Sequence, residues 1–327
     1  MNYKALNNLA TMFFDSAEHF PQKPFLWAKR NGKYISGSYS ETKNKVQLLA
    51  DSLHQLGVEK GERVVVISEN RPEWVIADLA IISLGGITVP AYTTNTTDDH
   101  LYILDHSEAK IAIVSGDKLA VSLMNAMSKS ASCKTIISIE ELSSDVDPCL
   151  KHLDWSSLLA PRDKLSTDVL KEVVNLKRND IACFIYTSGT GGNPKGVMLT
   201  HGSILANCSS AYDLLTEFGL GDEIFLSLLP LSHSYEHTCG LYFPISIGAQ
   251  IYYAEGPDKV AQNLQEAKPT IMTAVPRLYE ALHDRIQRGV QQSGGLKKYL
   301  FDLTLEMGRK ERVEKKPLSL TEKLSNM

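Results

Sequence analysis

The sequence has few cysteines, no long apolar run near its start and no excess of positive charge. Its five cysteines are odd in number and scattered, so neither a disulfide framework nor a cysteine-rich zinc site is expected. Residues 1–14 contain no apolar stretch of the kind that a signal peptide or a membrane span requires. Acidic residues outnumber basic ones by 38 to 34, which gives no electrostatic reason to expect nucleic acid as a partner. These absences predict a cytoplasmic protein.

No internal repeat or low-complexity block divides the 327 residues, which are enough for two domains that each bury a core. Short apolar runs alternate with longer amphipathic segments, which favours an α/β fold with largely parallel sheets. Residues 140–178 are more polar and less periodic, so a boundary is predicted there. The predicted division is a first α/β lobe at 1–178, a second lobe with a glycine-rich loop at 179–290, and a basic amphipathic helical insertion at 291–327.

A βαβαβ unit is the clearest local pattern. It begins with the β-branched run Arg63–Ile67, which is typical of a buried strand. Pro72 suits the first turn of a helix that the glycines at 85 and 86 would end, and the next strand is predicted at Ile87–Pro90. Further strands are predicted at 110–114, 181–186, 197–199, 223–229, 250–254 and 270–274. Further helices are predicted at 97–106, 201–216, 257–267 and 277–288.

The strongest functional signal is the segment Y-T-S-G-T-G-G-N-P-K-G, from Tyr186 to Gly196. Its glycines let backbone N–H groups turn towards an anion, its hydroxyls add donors, and its lysine adds a charge suited to phosphate. These residues are Gly189, Gly191, Gly192 and Gly196, Thr187, Ser188 and Thr190, and Lys195. The loop is not a Walker A motif, because glycine follows the lysine and a strand, not a helix, is predicted next. An ordinary glycine-rich surface turn is the alternative.

The segment from Tyr186 to His201 resembles the signature of the adenylate-forming superfamily, Y-T-S-G-T-T-G-x-P-K-G-V-x-x-[ST]-H. Gly191 is the one departure, because the family normally has a second threonine there. A lost hydrogen bond to a charged group costs about 1.5–3 kcal/mol, so weaker nucleotide binding is expected. The early segments around Arg63–Ile67 and Pro72, and the segment 229–233, are also similar to this family. The segment after Pro269 resembles its long-chain fatty-acid branch.

This resemblance implies the two βα lobes of an adenylate-forming amino-terminal domain, with ATP, Mg²⁺, coenzyme A and a fatty acid as reactants. By position in the motif, Thr187 would help to hold Mg²⁺, and Lys195 would assist catalysis. The β,γ-phosphates would be cradled by Ser188, Gly189, Thr190, Gly191, Gly192 and Lys195. His233 would lie near the carboxylate of the acid and act with Lys195 in catalysis. The alternative for His233 is a structural histidine that caps the next helix.

Other parts of the family's site do not occur in the sequence. There is no Y-G-x-T-E segment, which binds adenine and supplies a Mg²⁺ ligand in the family, and no T-G-D segment for the ribose. The carboxy-terminal domain with its catalytic lysine does not occur either. The resemblance therefore implies a truncated amino-terminal part that does not complete adenylation alone. Two alternative hypotheses remain. The chain is either half of a split enzyme that a separate chain completes, or a pseudo-enzyme that binds lipid.

The pattern H-x-x-E-H formed by His233, Glu236 and His237 also fits an inverted zinc-hydrolase motif. That chemistry requires both histidines on one face of a helix and a third ligand from a later helix. Pro230 and the apolar run before it predict that His233 lies at a strand end, and no convincing third ligand follows. Zinc hydrolysis is therefore only a remote alternative.

A basic amphipathic helix is predicted near the end of the sequence. Leu296, Leu300, Leu303 and Met307 fall at i, i+4, i+7 and i+11, which places them on one helical stripe. Lysines and arginines flank this stripe. A helix of this kind over 296–316 could contact a membrane surface peripherally, although a helix docked on the rest of the fold is the simpler alternative.

Overall fold

The computed structural model describes residues 2–143, 145–187 and 193–314. The strands are β1 (Pro24–Arg30), β2 (Lys33–Ser38), β3 (Arg63–Ile67), β4 (Ile87–Pro90), β5 (Ile111–Val114), β6 (Thr135–Ser138), β7 (Lys151–Asp154), β8 (Ile181–Thr187), β9 (Lys195–Thr200), β10 (Ile224–Ser227), β11 (Gln250–Tyr253) and β12 (Ile271–Met272).

The α-helices are α1 (Leu9–His19), α2 (Tyr39–Gln55), α3 (Pro72–Ser83), α4 (Thr97–Ser107), α5 (Asp117–Lys129), α6 (Trp155–Leu158), α7 (Val169–Asn175), α8 (His201–Thr216), α9 (Phe243–Ser246), α10 (Val260–Ala267), α11 (Pro276–Ser293) and α12 (Gly295–Gly308). Segments Glu236–Tyr242 and Arg309–Val313 are π-helical, and Pro257–Lys259 is a 3₁₀-helix.

Two mostly parallel sheets form the centre of the fold. The larger sheet has the strand order β7-β6-β5-β3-β4-β8-β9, and the smaller one has the order β12-β10-β11-β1-β2. In each sheet a single edge strand, β9 or β2, runs antiparallel to its neighbour. Strands β3, β4 and β5 are almost entirely buried, as near-continuous apolar runs between layers of helices should be. The prediction of an α/β fold with largely parallel sheets is confirmed.

The two sheets are not formed from two successive halves of the sequence. β8 and β9 join the sheet built from β3 to β7, whereas β1 and β2 join the sheet of β10 to β12. A boundary at residue 178 therefore does not separate the two sheets, because β8 pairs in parallel with β4 across that point. The contacts divide the chain into one compact unit up to Thr273 and a second from Ala274 onwards. The predicted division into domains stays a prediction.

Local sequence signals account for the starts of several helices. Ser38 and Glu41 form a capping box at the start of α2, and Thr96 and Asp99 form another at the start of α4. Pro72 lies in the first turn of α3, as predicted. The predicted strands at 223–229 and 270–274 are shorter in the structure, because β10 covers only Ile224–Ser227 and β12 only Ile271–Met272.

The second unit contains α11 and α12, two helices that run almost end to end along the sequence. The predicted stripe is helical, but its exposure is uneven: Leu296 is 72% and Leu300 50% exposed, whereas Met307 is 2% exposed. The part of the predicted basic segment beyond residue 314 lies outside the described residues. No described helix combines the length and the apolar character needed to cross a bilayer.

Asp51 fixes the polar segment that precedes α7. Its side chain is fully buried on α2. One carboxylate oxygen accepts hydrogen bonds from the backbone N–H groups of Ser166 and Thr167, at 2.6 and 2.9 Å, and from the Ser166 hydroxyl. The other accepts from Arg162 Nη1 at 2.6 Å. One buried carboxylate therefore orders a segment that has little periodicity of its own.

Replacing Asp51 by Asn should destabilise the fold. The substitution removes the charge and leaves an amide N–H₂ where the pocket offers mainly donors, so we expect a loss of about 2 kcal/mol in the free energy of unfolding. Urea denaturation at pH 7 measures this loss. Asp154→Asn, at an exposed carboxylate, is the control and should stay within about 0.5 kcal/mol of the unsubstituted protein. Equal stability of both variants would contradict this role of Asp51.

Candidate functional site

The glycine-rich segment lies in the sequence between β8 and β9, which pair with each other in antiparallel fashion. Thr187 is the last residue of β8, Lys195 is the first residue of β9, and the two face each other across the strand pair. Both are exposed. The predicted strand–loop–lysine–strand arrangement is thereby confirmed. Ser188, Gly189, Thr190, Gly191 and Gly192 lie outside the described residues, so their predicted contacts with phosphate stay predictions.

Aromatic side chains hold the end of this hairpin that carries Thr187 and Lys195 against α4. The Tyr186 hydroxyl is 2.8 Å from His106 Nδ1, and the Tyr102 hydroxyl donates to the Pro194 carbonyl at 3.0 Å. Gly196 permits this packing, because a Cβ there would lie 3.2 Å from the Tyr186 ring. The hairpin end that presents Thr187 and Lys195 is therefore fixed to the sheet from one side.

Lys195 is the cation of this end of the hairpin. Within the described ranges it forms no ion pair with another side chain. An exposed ammonium group beside a strand end, with a threonine hydroxyl opposite, is suited to an anionic ligand such as a phosphate.

A second loop lies at the carboxyl end of β10, in the smaller sheet. It connects Ser227 to the helical segment at 234–246 and carries the predicted site residue His233. The Asn70 side chain, just beyond the carboxyl end of β3, donates to Ser227 Oγ at 3.1 Å and to the Leu229 carbonyl at 2.7 Å. It also accepts a hydrogen bond from the Leu231 N–H at 3.0 Å. Carboxyl ends of strands from both sheets are thus joined, and this is where ligands of parallel α/β proteins bind.

His233 lies in a turn and caps the helix that follows. Its N–H donates to the Pro230 carbonyl at 2.9 Å, and its Nδ1 accepts from the Tyr235 N–H at 3.2 Å. The imidazole is exposed, so its other nitrogen can still meet a ligand. The capping alternative is confirmed. The catalytic role beside the acid stays a prediction, and no described hydrogen bond brings His233 together with Thr187 or Lys195.

Glu236 begins the π-helix and turns inwards. Its carboxyl accepts hydrogen bonds from the hydroxyls of Ser227, at 2.7 Å, and Thr273. Gly240, one turn later, leaves room for this carboxyl, and a Cβ there would collide with it. Burial raises the pKa of Glu236 to about 7, although both hydroxyl donors act in the opposite direction. A buried carboxyl that titrates near neutral pH therefore lies directly behind the His233 loop.

His237 points away from Glu236, into the core. Its Nε2 lies 3.0 Å from Asp78 Oδ2, and its Nδ1 lies 3.8 Å from Cys183 Sγ. The Tyr242 hydroxyl donates to the same carboxylate oxygen of Asp78. Burial alone would lower the His237 pKa, but the neighbouring Asp78 carboxylate raises it above its ordinary value. The pair is thus a buried ion pair between α3 and the π-helix.

These contacts do not support the zinc-hydrolase alternative. Glu236 is bound to two hydroxyls, His237 is paired with Asp78, and His233 caps its own helix. In the described part of the chain no cluster of three or more His, Cys, Asp or Glu side chains could hold a metal ion. The spacing H-x-x-E-H is present, but the side chains diverge because the helix begins only after His233 and changes to π geometry at Glu236.

Sequence reasoning missed Asn70 and Asp78. Asp78 could have been found, because it is the one charged residue in the otherwise apolar middle of α3, and a buried charge needs a partner. Asn70 gave no such signal, since its partners lie about 160 residues further along the chain.

The fold is a two-sheet α/β protein in which the glycine-rich segment follows β8 at the carboxyl edge of one sheet and the His233 loop follows β10 at that of the other. The sequence matches the family described as AMP-binding enzyme over residues 13–315. The chain therefore belongs to the AMP-binding enzyme family, and the resemblance to adenylate-forming enzymes is confirmed.

Relatives with similar sequences are named as long-chain enzymes. The chain is 29% identical over 307 residues to the long-chain-fatty-acid–CoA ligase ACSBG2 of Mus musculus, a match that covers 91% of this chain and 46% of that protein. It is 30% identical over 305 residues to long chain acyl-CoA synthetase 4 of Arabidopsis thaliana, covering 89% of this chain and 45% of that protein. The chain thus spans just under half the length of these two relatives.

Solved structures show the same fold. The long-chain-fatty-acid–CoA ligase FadD1 of Archaeoglobus fulgidus superposes with a TM-score of 0.68 at 22% identity, covering 86% of this chain and 53% of that one. A benzoate CoA ligase of Burkholderia xenovorans LB400 gives a TM-score of 0.65 at 26% identity, covering 84% and 51%.

The pKa of Glu236 leads to a test by pH. An acid whose pKa is raised by folding makes the folded state less stable as pH rises from its unfolded value, 4.5, to its folded value, about 7. Glu236→Gln lacks this titration. The stability of Glu236→Gln relative to the unsubstituted protein should therefore increase by about 3 kcal/mol between pH 4 and pH 8.

Urea denaturation of both proteins at several pH values measures this difference. Glu69→Gln, at an exposed glutamate in the loop after β3, is the control and should show no such change. A difference between Glu236→Gln and the unsubstituted protein that stays constant from pH 4 to pH 8 would show that Glu236 does not titrate as its surroundings require.

Proposed function

We propose that the chain takes part in the ATP-dependent, AMP-forming activation of a long-chain fatty acid to its coenzyme A thioester. The carrying observation is the β8–β9 hairpin, which sets Thr187 and Lys195 opposite each other on either side of the family's phosphate motif. The names of the sequence relatives support the long-chain acid as the substrate. We place the acid beside the His233 loop, at the carboxyl end of β10.

The proposed reaction joins the acid to the α-phosphate of ATP, releases pyrophosphate, and then transfers the acyl group to the thiol of coenzyme A. Charge on the phosphates requires donors fixed in advance. Lys195 supplies a positive charge, and the loop before it supplies N–H and hydroxyl donors. The exposed Thr187 hydroxyl fits Mg²⁺ as one hard oxygen ligand, because this ion usually keeps water and phosphate oxygens as its others. Bound there, Mg²⁺ would neutralise phosphate charge.

We infer further that residues 1–327 by themselves do not complete adenylation. Its sequence has the phosphate motif but lacks the segments that bind adenine and ribose in the family. In this proposal those segments come from outside residues 1–327, and a separate chain is one source of them. A peripheral membrane contact through 296–316 is a further part of the proposal. For the membrane contact, the exposed Leu296 and Leu300 are the apolar residues available. We place the protein in the cytoplasm.

The proposal predicts that Lys195 contributes to nucleotide binding. Lys195→Ala removes a charge beside the phosphates, so the affinity for MgATP should fall by about tenfold or more, as the loss of a charge-assisted hydrogen bond implies. Titration calorimetry with MgATP measures the affinity. Lys33→Ala is the matched control, because Lys33 is also an exposed first residue of an antiparallel hairpin strand.

Three outcomes distinguish the candidate functions. Lower MgATP affinity in Lys195→Ala, with Lys33→Ala unchanged, supports the phosphate site. Equal MgATP affinity in all three proteins would contradict it. Palmitate binding without any binding of MgATP would favour the lipid-binding pseudo-enzyme instead.

A further inference from the structure

The loop at 228–235 is held at both of its ends by side chains from outside it. At its first end, the amide of Asn70 binds the Leu229 carbonyl and the Leu231 N–H, at 2.7 and 3.0 Å. A side chain that satisfies a carbonyl and an N–H two residues apart replaces the pairing that a strand would give, and it fixes the backbone between them. The direction of the chain after β10 is therefore set by Asn70.

The Ser227 hydroxyl extends this contact to the far end of the loop. It accepts a hydrogen bond from Asn70 Nδ2 at 3.1 Å and donates one to Glu236 Oε1 at 2.7 Å. The second carboxyl oxygen of Glu236 accepts from Thr273, directly after β12. A continuous chain of hydrogen bonds thus joins residues that follow or end β3, β10 and β12 to the first residue of the π-helix.

We call the residues Asn70, Ser227, Glu236 and Thr273 the clasp. Ser227, Glu236 and Thr273 are buried, so breaking their bonds leaves polar atoms without water and is costly. His233, by contrast, is exposed and lies inside the segment that the clasp brackets. The position of the imidazole therefore depends on residues that do not touch it.

We propose that Asn70 and Glu236 are positioning residues, which hold the loop at 228–235 so that His233 faces the fatty acid at the carboxyl edge of the smaller sheet. This inference rests on the proposed function of the loop. Asn70 and Glu236 act through the loop backbone and are not catalytic residues themselves.

The first test is Asn70→Asp, which keeps the shape of the side chain but removes both N–H donors. We expect backbone hydrogen exchange in the 228–235 peptide to become about tenfold faster, and palmitate affinity to fall by about tenfold, as the loss of two hydrogen bonds implies. Mass spectrometry measures the exchange, and calorimetry measures the affinity.

Asn8→Asp is the matched control. Like Asn70, Asn8 donates through its amide to two oxygens, here the carbonyls of Val173 and Leu176, and accepts one N–H, that of Thr11. Asn8 is buried, whereas Asn70 is half-buried. It belongs to a different part of the fold. Its substitution should accelerate exchange around 173–176 and leave both the 228–235 exchange and palmitate affinity unchanged.

A pair of substitutions at Glu236 separates positioning from general stability. Gln keeps one acceptor and gains one donor, so Glu236→Gln should retain slow exchange in 228–235 and palmitate affinity within about twofold. Glu236→Ala should show faster exchange in 228–235 and weaker palmitate binding. If Asn70→Asp does not fold, Ser227→Ala serves in its place, because it removes the hydroxyl that connects the two ends of the clasp.

Two results would overturn the proposal. One is unchanged exchange in 228–235 in Asn70→Asp and Glu236→Ala. The other is faster exchange without any loss of palmitate affinity, because the loop would then be held by the clasp but would not serve the acid. If the unsubstituted protein binds no palmitate, the proposed function of the loop fails, and the exchange data still show whether the clasp holds.

Discussion

The hydrogen bonds of the Asn70 side chain are the interaction on which the candidate site depends most. The parallel order of the strands brings the loops after β3 and β8 to one edge of the larger sheet, and the loop after β10 to the corresponding edge of the smaller one. The order of the strands does not by itself align one edge with the other. Asn70 does so, because its amide leaves the larger sheet and binds the backbone at Leu229 and Leu231 in the smaller one. That contact fixes the position of the loop that carries His233.

Buried charge determines how the helical segment behind this loop is oriented. The Asp78 carboxylate is fully buried on the apolar helix α3, so it requires a charged or hydrogen-bonding partner. The His237 imidazole is that partner. Once His237 is drawn towards Asp78, the neighbouring Glu236 is directed to the other side, towards Ser227 and Thr273. A sequence pattern that suggests one metal site thus becomes two separate internal contacts.

Sequence patterns predicted the features that depend on neighbouring residues. The hairpin around the phosphate motif, the helix beginning at Pro72 and the strand Arg63–Ile67 follow from glycine, proline and β-branched residues at short range. The assignment of strands to the two sheets could not be predicted this way, since β8 joins the larger sheet by pairing with β4, where Cys183 lies opposite Thr88, about 95 residues earlier. The same holds for Glu236, because burial in the folded chain raises its pKa while its partners Ser227 and Thr273 act in the opposite direction. Family resemblance located the histidine loop, but not the side chains that hold it.

The central claim of the proposed function is that residues 1–327 hold the phosphate-binding and acid-binding parts of an AMP-forming ligase, and that the segments for adenine and ribose do not occur among them. Palmitate-dependent exchange of pyrophosphate into ATP by the purified, folded chain, with Mg²⁺ present, tests it most directly. We predict no exchange above background, although the chain binds palmitate and MgATP. Exchange that depends on palmitate and disappears in Lys195→Ala would show a complete adenylation site and would contradict the claim.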